Sequence, residues 1–198
     1  AITDHDTVAG VSEGLQAGGE FRVRIIPGIE MSVEEHGVHI LGYGIDYKNE
    51  KFLQELEGFR KGREEGARKM VENLKNAGFI FEWEDVIREA TGAVIARPHI
   101  ARAILHAQEN QEKLGGVSTV HDFIQEYLTD GNPNYVRRTH IAARDAISLI
   151  HETGGVAVWS HPVIHFEDNY EELEKFLRQL IEWGIDGLEV FNPSQTED

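Results

Sequence analysis

The last third of the chain repeats one pattern that strongly limits its fold. The amphipathic stretch "HIAARDAISLIHETGG" precedes the apolar run "VAVWSHP", and the amphipathic "NYEELEKFLRQLIEWG" precedes "DGLEVFN". Glycines close both amphipathic stretches, as is common where helices end. The run "VAVWSHP" is typical of a strand buried on both faces. Successive helix–strand units predict parallel β/α units and therefore an α/β fold.

The first 46 residues also alternate between pieces typical of strands and turns. "AIT" predicts the end of a strand, and the apolar spacing over residues 7–19 predicts a short helix. "FRVRIIPG" predicts a strand that Pro27 and Gly28 break, and "VHILGYGI" predicts another strand. These pieces are consistent with the N-terminal part of the same α/β domain.

The middle of the chain has a helical pattern instead. From Asn49 to Ala77, apolar residues recur at three- and four-residue steps between charges that we expect on a solvated face. Residues 82–90, 97–107 and 118–129 predict further helices. We therefore expect three segments, namely an α/β part over 1–48, a helical insertion over 49–138, and a second α/β part over 139–198.

Composition excludes several classes of function. The chain has 198 residues and a net charge of −16, and it lacks the basic stripes of a duplex-DNA-binding surface. It contains no cysteine, so any metal site must use His, Asp or Glu. No apolar run is long enough for a membrane helix, and no signal peptide is visible. We expect a cytoplasmic protein without membrane contact, and its oligomeric state stays open.

Common catalytic motifs are missing from the sequence. There is no glycine-rich nucleotide loop of the GxGxxG or GxxxxGK[ST] type, and no GxSxG or HExxH. Ser160 adjoins His161, but neighbouring strand residues point to opposite faces, which argues against a catalytic dyad.

Polar side chains follow several of the predicted strands. His5 follows "AIT", Glu30 follows "RVRIIPG", His161 follows "VAVWS" and Asn192 follows "GLEVF". Ligands collect at the carboxyl ends of strands in α/β proteins, and imidazoles and carboxylates are ligands of Zn, Mn and Fe. His39 begins its strand instead, so that strand must run against the others, or bend, if His39 is to join them.

The motifs "AITDHDTVAG", "PGIEMS", "HILGYGID", "ARPHIARAI", "GGVAVWSHP" and "GLEVFNPS" occur in this order along nearly the whole chain. In this they resemble the PHP-domain (polymerase and histidinol phosphatase) phosphoesterases, and in particular their TrpH-like branch. The resemblance implies a distorted (β/α)7 barrel, incomplete in this chain, with a helical insertion. It also implies a site for up to three divalent ions, with Mn expected first and Fe or Zn as alternatives.

The resemblance assigns roles to particular residues. His5 would be a metal ligand, Glu30 would bridge two ions, and His39 with His161 would hold the outer ion. His36 is a nearby competitor of His39, but it lies in the polar loop "EEHG" and we expect it to be solvated.

Further residues have a functional and a structural interpretation. Asp4 and Asp6 resemble residues that orient His5, although turn or N-cap roles would also explain them. Arg97, His99 and Arg102 resemble substrate or phosphate contacts from the insertion, although Arg97 and His99 are also consistent with capping a helix after Pro98. Four more residues are weaker candidates, Glu189 and Asn192 for the barrel mouth and Arg137 and Arg138 for phosphate.

The implied reaction is hydrolysis of phosphomonoesters or phosphodiesters. The metals would acidify a bound water to hydroxide, clamp the phosphoryl oxygens and offset the acidic net charge of the protein. The implied substrates are 3′,5′-bisphosphate nucleotides or the 5′ ends of short single-stranded RNA, selected by the insertion as a lid. The alternatives are a small-molecule phosphatase of the histidinol phosphate type and a catalytically inert PHP module.

The chain departs from the family pattern at both ends. The HxH strand with a following Asp that precedes "TDHD" in the family, and the Asp-x-His segment that follows "EVFNP", are not in this sequence. We therefore expect the sequence to be a stretch of a longer chain. It would supply one complete outer metal site and parts of the others.

Overall fold

The computed structural model describes residues 1–90, 95–136, 140–166 and 169–191. It divides into two compact units, Ala1–Gly58 with His140–Asp198, and Phe59–Thr139. The elements of the first unit are α1 (Val11–Phe21), β1 (Gly28–Ser32), β2 (His39–Tyr43), α7 (Ala143–Glu152), β3 (Val156–Ser160), α8 (Tyr170–Glu182) and β4 (Gly187–Leu188). Those of the second unit are α3 (Trp83–Ala90), α4 (Arg97–His106), a 3-10 turn (Gln108–Asn110), α5 (Gln111–Leu114) and α6 (Val120–Tyr127). Helix α2 (Glu50–Asn76) crosses the border between them.

The first unit is built on a four-stranded sheet with the strand order β1-β2-β3-β4. Strand β2 is antiparallel to both β1 and β3, and β4 is parallel to β3. The first residues of the chain run parallel to β1, with bridges from Ile2 to Pro27 and from His5 to Glu30. The strand with His39 therefore runs against the others, which is one of the two conditions stated for His39 to join the cluster. The parallel β/α unit predicted at the C-terminal end is confirmed.

The two faces of this sheet differ in chemistry because successive strand residues point to opposite sides. One face is apolar and buried, and it consists of Ile29, Met31, Ile40, Gly42, Ala157 and Trp159. Helix α7 packs there through Ile150 against Gly42, and α8 packs there through Phe176 against Trp159. The opposite face presents the polar residues Glu30, Ser32, His39, Tyr43 and Ser160. This second face also carries the apolar Leu41 and Val158, so the sheet has a wholly apolar face on one side and a mixed face with the polar groups on the other.

The second unit is helical and has a core of its own. Its buried apolar residues include Met70, Leu74, Phe79, Ile104 and Phe123. Asn110 is buried among them and satisfies both ends of its amide, since Oδ1 accepts from Ile80 N at 2.8 Å and Nδ2 donates to Ile104 O at 3.2 Å. Such pairing removes the cost of burying an amide. The helices expected at 82–90, 97–107 and 118–129 are confirmed, whereas the short turns over residues 108–114 were not predicted.

Two strand predictions were wrong in position. "FRVRIIPG" is not a strand, because α1 continues to Phe21 and ends at Arg22, whose φ is +55°. The strand begins at Gly28 and Glu30 lies inside it rather than after it. The close packing of Gly28 explains this register, since a Cβ there would lie 2.7 Å from Gly42 O and 3.0 Å from Ile2 O. "DGLEVFN" forms only the two-residue strand β4 within the described part of the chain.

The first unit is thus a mixed helix–sheet structure with a small sheet, and the seven-unit barrel stays a prediction. The domain borders at 48/49 and 138/139 also stay predictions. In the part of the chain that the structure describes, no helix combines the length and the apolar character needed to span a membrane.

We expect Gly28→Ala to lower the free energy of unfolding by about 1–3 kcal/mol, because the added methyl group meets backbone oxygens that cannot rotate away. Gly58→Ala is the matched control. A Cβ at Gly58 meets nothing within 4 Å and the residue lies inside helix α2, so alanine should raise stability by about 0.5–1 kcal/mol. Urea unfolding midpoints measure both changes, and a Gly28→Ala midpoint at or above wild type would contradict the packing argument.

Candidate metal centre

The four residues predicted as metal ligands lie together at one edge of the sheet in the first unit. Backbone pairing brings His5 beside Glu30, and the antiparallel register pairs His39 with Ser160, the residue before His161. The edge where β3 ends is therefore the edge where β2 begins. This explains how a histidine at the start of one strand meets a histidine after the end of another.

Three of these side chains converge on a single point. Glu30 Oε1 lies 3.0 Å from His39 Nδ1 and 3.3 Å from His161 Nε2, and the two imidazole nitrogens are 3.0 Å apart. The centre of such a triangle is about 1.8 Å from each corner, so a position slightly out of its plane satisfies the Zn–N and Zn–O distances of about 2.0–2.2 Å. The triangle therefore has the dimensions of a metal site.

His5 extends the cluster toward solvent. Its Nε2 lies 3.5 Å from the second carboxylate oxygen of Glu30, and its ring is 4.7 Å from that of His39. The side chain of His5 is 55% exposed, against 15% for Glu30. Because Glu30 offers one oxygen to His39 and His161 and the other to His5, its carboxylate has the arrangement of a bridging ligand.

The electrostatics of Glu30 favour its charged form. Burial by itself raises the pKa of Glu30, but hydrogen bonding to His39 and His161 and the charges of His5 and His39 outweigh burial and lower it. The pKa of the nearby Tyr43 phenol is raised instead, by burial and by the charges of Glu189 and Glu30. Near neutral pH the site thus combines a carboxylate with a protonated phenol.

His161 has an unusual backbone conformation that a second carboxylate holds. Its φ is +34°, in the left-handed region that side chains other than glycine disfavour, at a cost of about 1–3 kcal/mol. The backbone N–H of His161 donates to Glu189 Oε2 at 2.9 Å. Glu189 lies directly after β4, which pairs with β3 in parallel. The sequence offered Glu189 as a weak candidate for a barrel mouth and favoured a structural role, and the structure gives it this contact with the backbone of a candidate ligand.

Asp6 and Asp4 fix the loop that presents His5. Asp6 has a φ of +55° and accepts from both the backbone N–H and the hydroxyl of Ser32, each at 2.9 Å. The side chain of Asp4 lies against Gly10, where an added Cβ would come within 2.7 Å of Asp4 Oδ2. These contacts hold the loop on β1 and at the start of α1. A direct role of either carboxylate in orienting His5 stays a proposal.

One histidine of the cluster was missed by the sequence interpretation. His165 follows β3 in a turn, and its ring centroid is 5.1 Å from that of His161 and 5.6 Å from that of His39. Burial, followed by the neighbouring His161, His39 and His36, lowers the pKa of His165 to about 4. The only signal in the sequence was the second histidine of "SHPVIH". Because this residue lies in a turn, the strand pattern does not predict where its side chain points.

The donor set fits a divalent cation. Two groups have candidate ligand atoms that all lie within 4.8 Å of one another, namely His5, Glu30 and His39, and His39, His161 and His165. Imidazole suits Zn and Fe, whereas the carboxylate also suits Mn. The nitrogen that His161 offers to the cluster is Nε2, which faces both Glu30 Oε1 and His39 Nδ1.

The predicted substrate residues of the helical unit have partners within that unit. Arg97 Nη1 donates to Leu128 O at 3.1 Å, and Arg102 Nε lies 3.4 Å from Glu89 Oε2. The imidazole of His99 accepts a hydrogen bond from Ala96 N at 3.0 Å. This is the helix-capping contact that the structural interpretation of His99 expects. Their role toward a substrate stays a prediction.

The remaining candidates from the sequence are one exposed histidine and three residues that the structure does not describe. His36 is exposed, as expected, and its ring contacts those of Phe166 and Phe176. Arg137, Arg138 and Asn192 lie outside the described residues.

We expect Glu189→Ala to weaken zinc binding by about tenfold or more, because the His161 backbone loses the acceptor that fixes its left-handed conformation. Glu189→Gln keeps an oxygen acceptor, so its loss of zinc affinity should be smaller. Competition with a chromophoric chelator measures the dissociation constants. Exposed Glu182→Ala in α8 is the matched control, and equal affinities for Glu189→Ala and this control would refute the positioning role.

Comparison with known proteins identifies relatives along the whole chain. A 5′-3′ exoribonuclease of Haemophilus influenzae is 31% identical over 204 residues, covering 100% of this chain and 70% of the relative. A 3′,5′-nucleoside bisphosphate phosphatase of Chromobacterium violaceum is 31% identical over 201 residues, covering 100% of this chain and 68% of the relative. No family model matches the sequence.

Two solved structures are similar in fold along nearly the whole chain. A protein from Bifidobacterium adolescentis described as a metal-dependent phosphoesterase has a TM-score of 0.77 at 27% identity, over 99% of this chain and 68% of that chain. An amidohydrolase from Chromobacterium violaceum with bound sulfate and no metal has a TM-score of 0.80 at 31% identity, over 98% of this chain and 67% of that chain. Sequence, fold and the histidine–carboxylate cluster lead to one conclusion: the chain belongs to the PHP-domain family of metal-dependent phosphoesterases.

Proposed function

We propose that this phosphoesterase hydrolyses 3′,5′-bisphosphate nucleotides or the 5′ ends of short single-stranded RNA. The convergence of Glu30, His39 and His161 within 3.3 Å of one another supports the proposal most directly. The names of two relatives, an exoribonuclease and a nucleoside bisphosphate phosphatase, supply the substrate class. Both substrate types present a terminal phosphate on a nucleotide.

In the proposed site, His5, Glu30, His39 and His161 hold divalent ions, with Mn as the ion that the family resemblance favours. Such ions, when bound, lower the pKa of water and neutralise charge on phosphoryl oxygens. The task of the protein is to present deprotonated ligands in a fixed geometry. Glu30 does so because its imidazole neighbours lower the pKa of its carboxyl group.

Other residues of the same face would act on the substrate directly. The phenol of Tyr43 is protonated near neutral pH, as tyrosine ordinarily is, and burial and two carboxylates raise its pKa further, so its hydroxyl can donate to a phosphoryl oxygen. Arg97, His99 and Arg102 of the helical unit would supply further phosphate contacts. We also propose that the sheet belongs to the (β/α)7 barrel of the family and that the helical unit selects the substrate.

The net charge of −16 adds a requirement to this proposal. A phosphate dianion approaching so acidic a protein needs a local reversal of sign, which bound cations provide. Binding of a nucleotide should therefore depend on metal loading, and not only its turnover.

We expect the metal-loaded protein to release phosphate from adenosine 3′,5′-bisphosphate or mononucleotides from a 5′-phosphorylated oligoribonucleotide. Glu30→Gln should lower kcat/KM by at least about tenfold, because it removes the charged, shared ligand. Exposed Glu34→Gln, four residues along the chain, is the matched control and should match wild type. Phosphate release and chromatographic product analysis measure these rates.

The same panel separates the alternatives. Turnover of histidinol phosphate alone would replace the proposal by the small-molecule phosphatase. A chain that retains no metal after dialysis and converts none of these substrates would be the inert module.

A further inference from the structure

The turn after β3 places a third imidazole beside the proposed metal ligands His39 and His161. The side chain of His165 offers a nitrogen within 4.8 Å of nitrogens of both residues. Its ring is tilted by 45° to that of His161 and by 80° to that of His39. The three rings therefore do not stack flat against one another, and each offers a nitrogen close to those of the other two.

The hydrogen bonding of His165 bears on its role. The Nε2 of His165 is buried and has no hydrogen-bond partner among the described residues. Buried polar atoms in native proteins are nearly always paired. An unpaired buried nitrogen beside two candidate metal ligands is therefore consistent with a bound ion as its partner.

A purely structural role for His165 explains less. The adjacent Phe166 is buried and packs against Trp159 and Phe176, so an apolar residue already anchors the turn. His165 itself is only partly buried and lies on the side of His39 and His161. An aliphatic or phenyl side chain would fill the same space without burying a nitrogen that has no hydrogen-bond partner among the described residues.

We propose that His165 is a metal ligand, and that with His39 and His161 it forms a three-imidazole site selective for zinc over manganese. This proposal rests on the proposed function as a metal-dependent hydrolase and adds a ligand and an ion preference to it. Glu30 Oε1 faces the same nitrogens of His39 and His161, so His165 would add a third imidazole to this donor set. Imidazole nitrogens suit Zn and Fe, whereas Mn prefers carboxylate and water oxygens, so the added nitrogen shifts the preference toward zinc.

Metal binding itself, without any activity measurement, tests the proposal. We expect His165→Phe to weaken zinc binding by about tenfold or more and to leave manganese binding within about threefold of wild type. Competition with a chelator measures zinc, and electron paramagnetic resonance of the unbound ion measures manganese. Exposed His121→Phe removes one histidine elsewhere and should change neither affinity. Thermal melting without metal checks that the variants fold.

A cysteine variant distinguishes direct ligation from packing. The chain contains no cysteine, so His165→Cys introduces a single thiol. We expect cobalt addition to produce a thiolate-to-metal charge-transfer band in the near ultraviolet, and His121→Cys to produce none. Unchanged zinc affinity in His165→Phe would overturn the proposal. Weaker zinc binding without a band in His165→Cys would also overturn it, since His165 would then act through packing.

These readouts remain valid whatever the substrate is. If no nucleotide is hydrolysed but His165→Phe loses zinc affinity, the proposed function fails while the ligand assignment holds. If nucleotides are hydrolysed but His165→Phe binds zinc as tightly as wild type, the proposed function holds while the ligand assignment fails.

Discussion

The close approach of the Glu30 carboxylate to the imidazoles of His39 and His161 is the interaction on which the site depends. A buried carboxylate beside two nitrogen donors is costly unless its charge is balanced. The lowered pKa of Glu30 indicates that the surroundings favour its charge. A cation at the same point would stabilise all three groups together, so metal binding and the local fold should reinforce each other.

The antiparallel strand β2 makes this approach possible. In an all-parallel sheet, His39 at the start of its strand would lie at the edge opposite to His161. Reversal of β2 places both histidines at one edge, and the pleat puts the side chain of His39 on the face of Glu30. The left-handed backbone of His161, held by Glu189, turns the imidazole back over this face.

The sequence was sufficient for the residues that periodicity and strand order determine. The apolar run "VAVWS" and the glycine stops predicted the β/α unit. Polar residues at strand ends, together with the family resemblance, predicted the clustering of four distant residues. A reversed or bent strand followed as the condition for His39 to join them. Register was harder, because the tight packing of Gly28 against Gly42 and Ile2 is a tertiary contact that no local pattern reveals. His165 escaped for a similar reason, since the direction of a turn residue depends on how Phe166 anchors the turn in the aromatic core.

The division of the sheet into an apolar and a polar face also explains how the site tolerates its own strain. Trp159 and Ile40 are fully buried on the apolar face, where each large side chain contributes about 1.5–3 kcal/mol. On the other face, Asp6 and His161 adopt left-handed conformations that cost about 1–3 kcal/mol each. Successive residues of one strand point to opposite faces. Packing of the apolar face therefore also fixes the strands from which the two strained residues extend. The polar face can therefore be arranged for ligands rather than for stability.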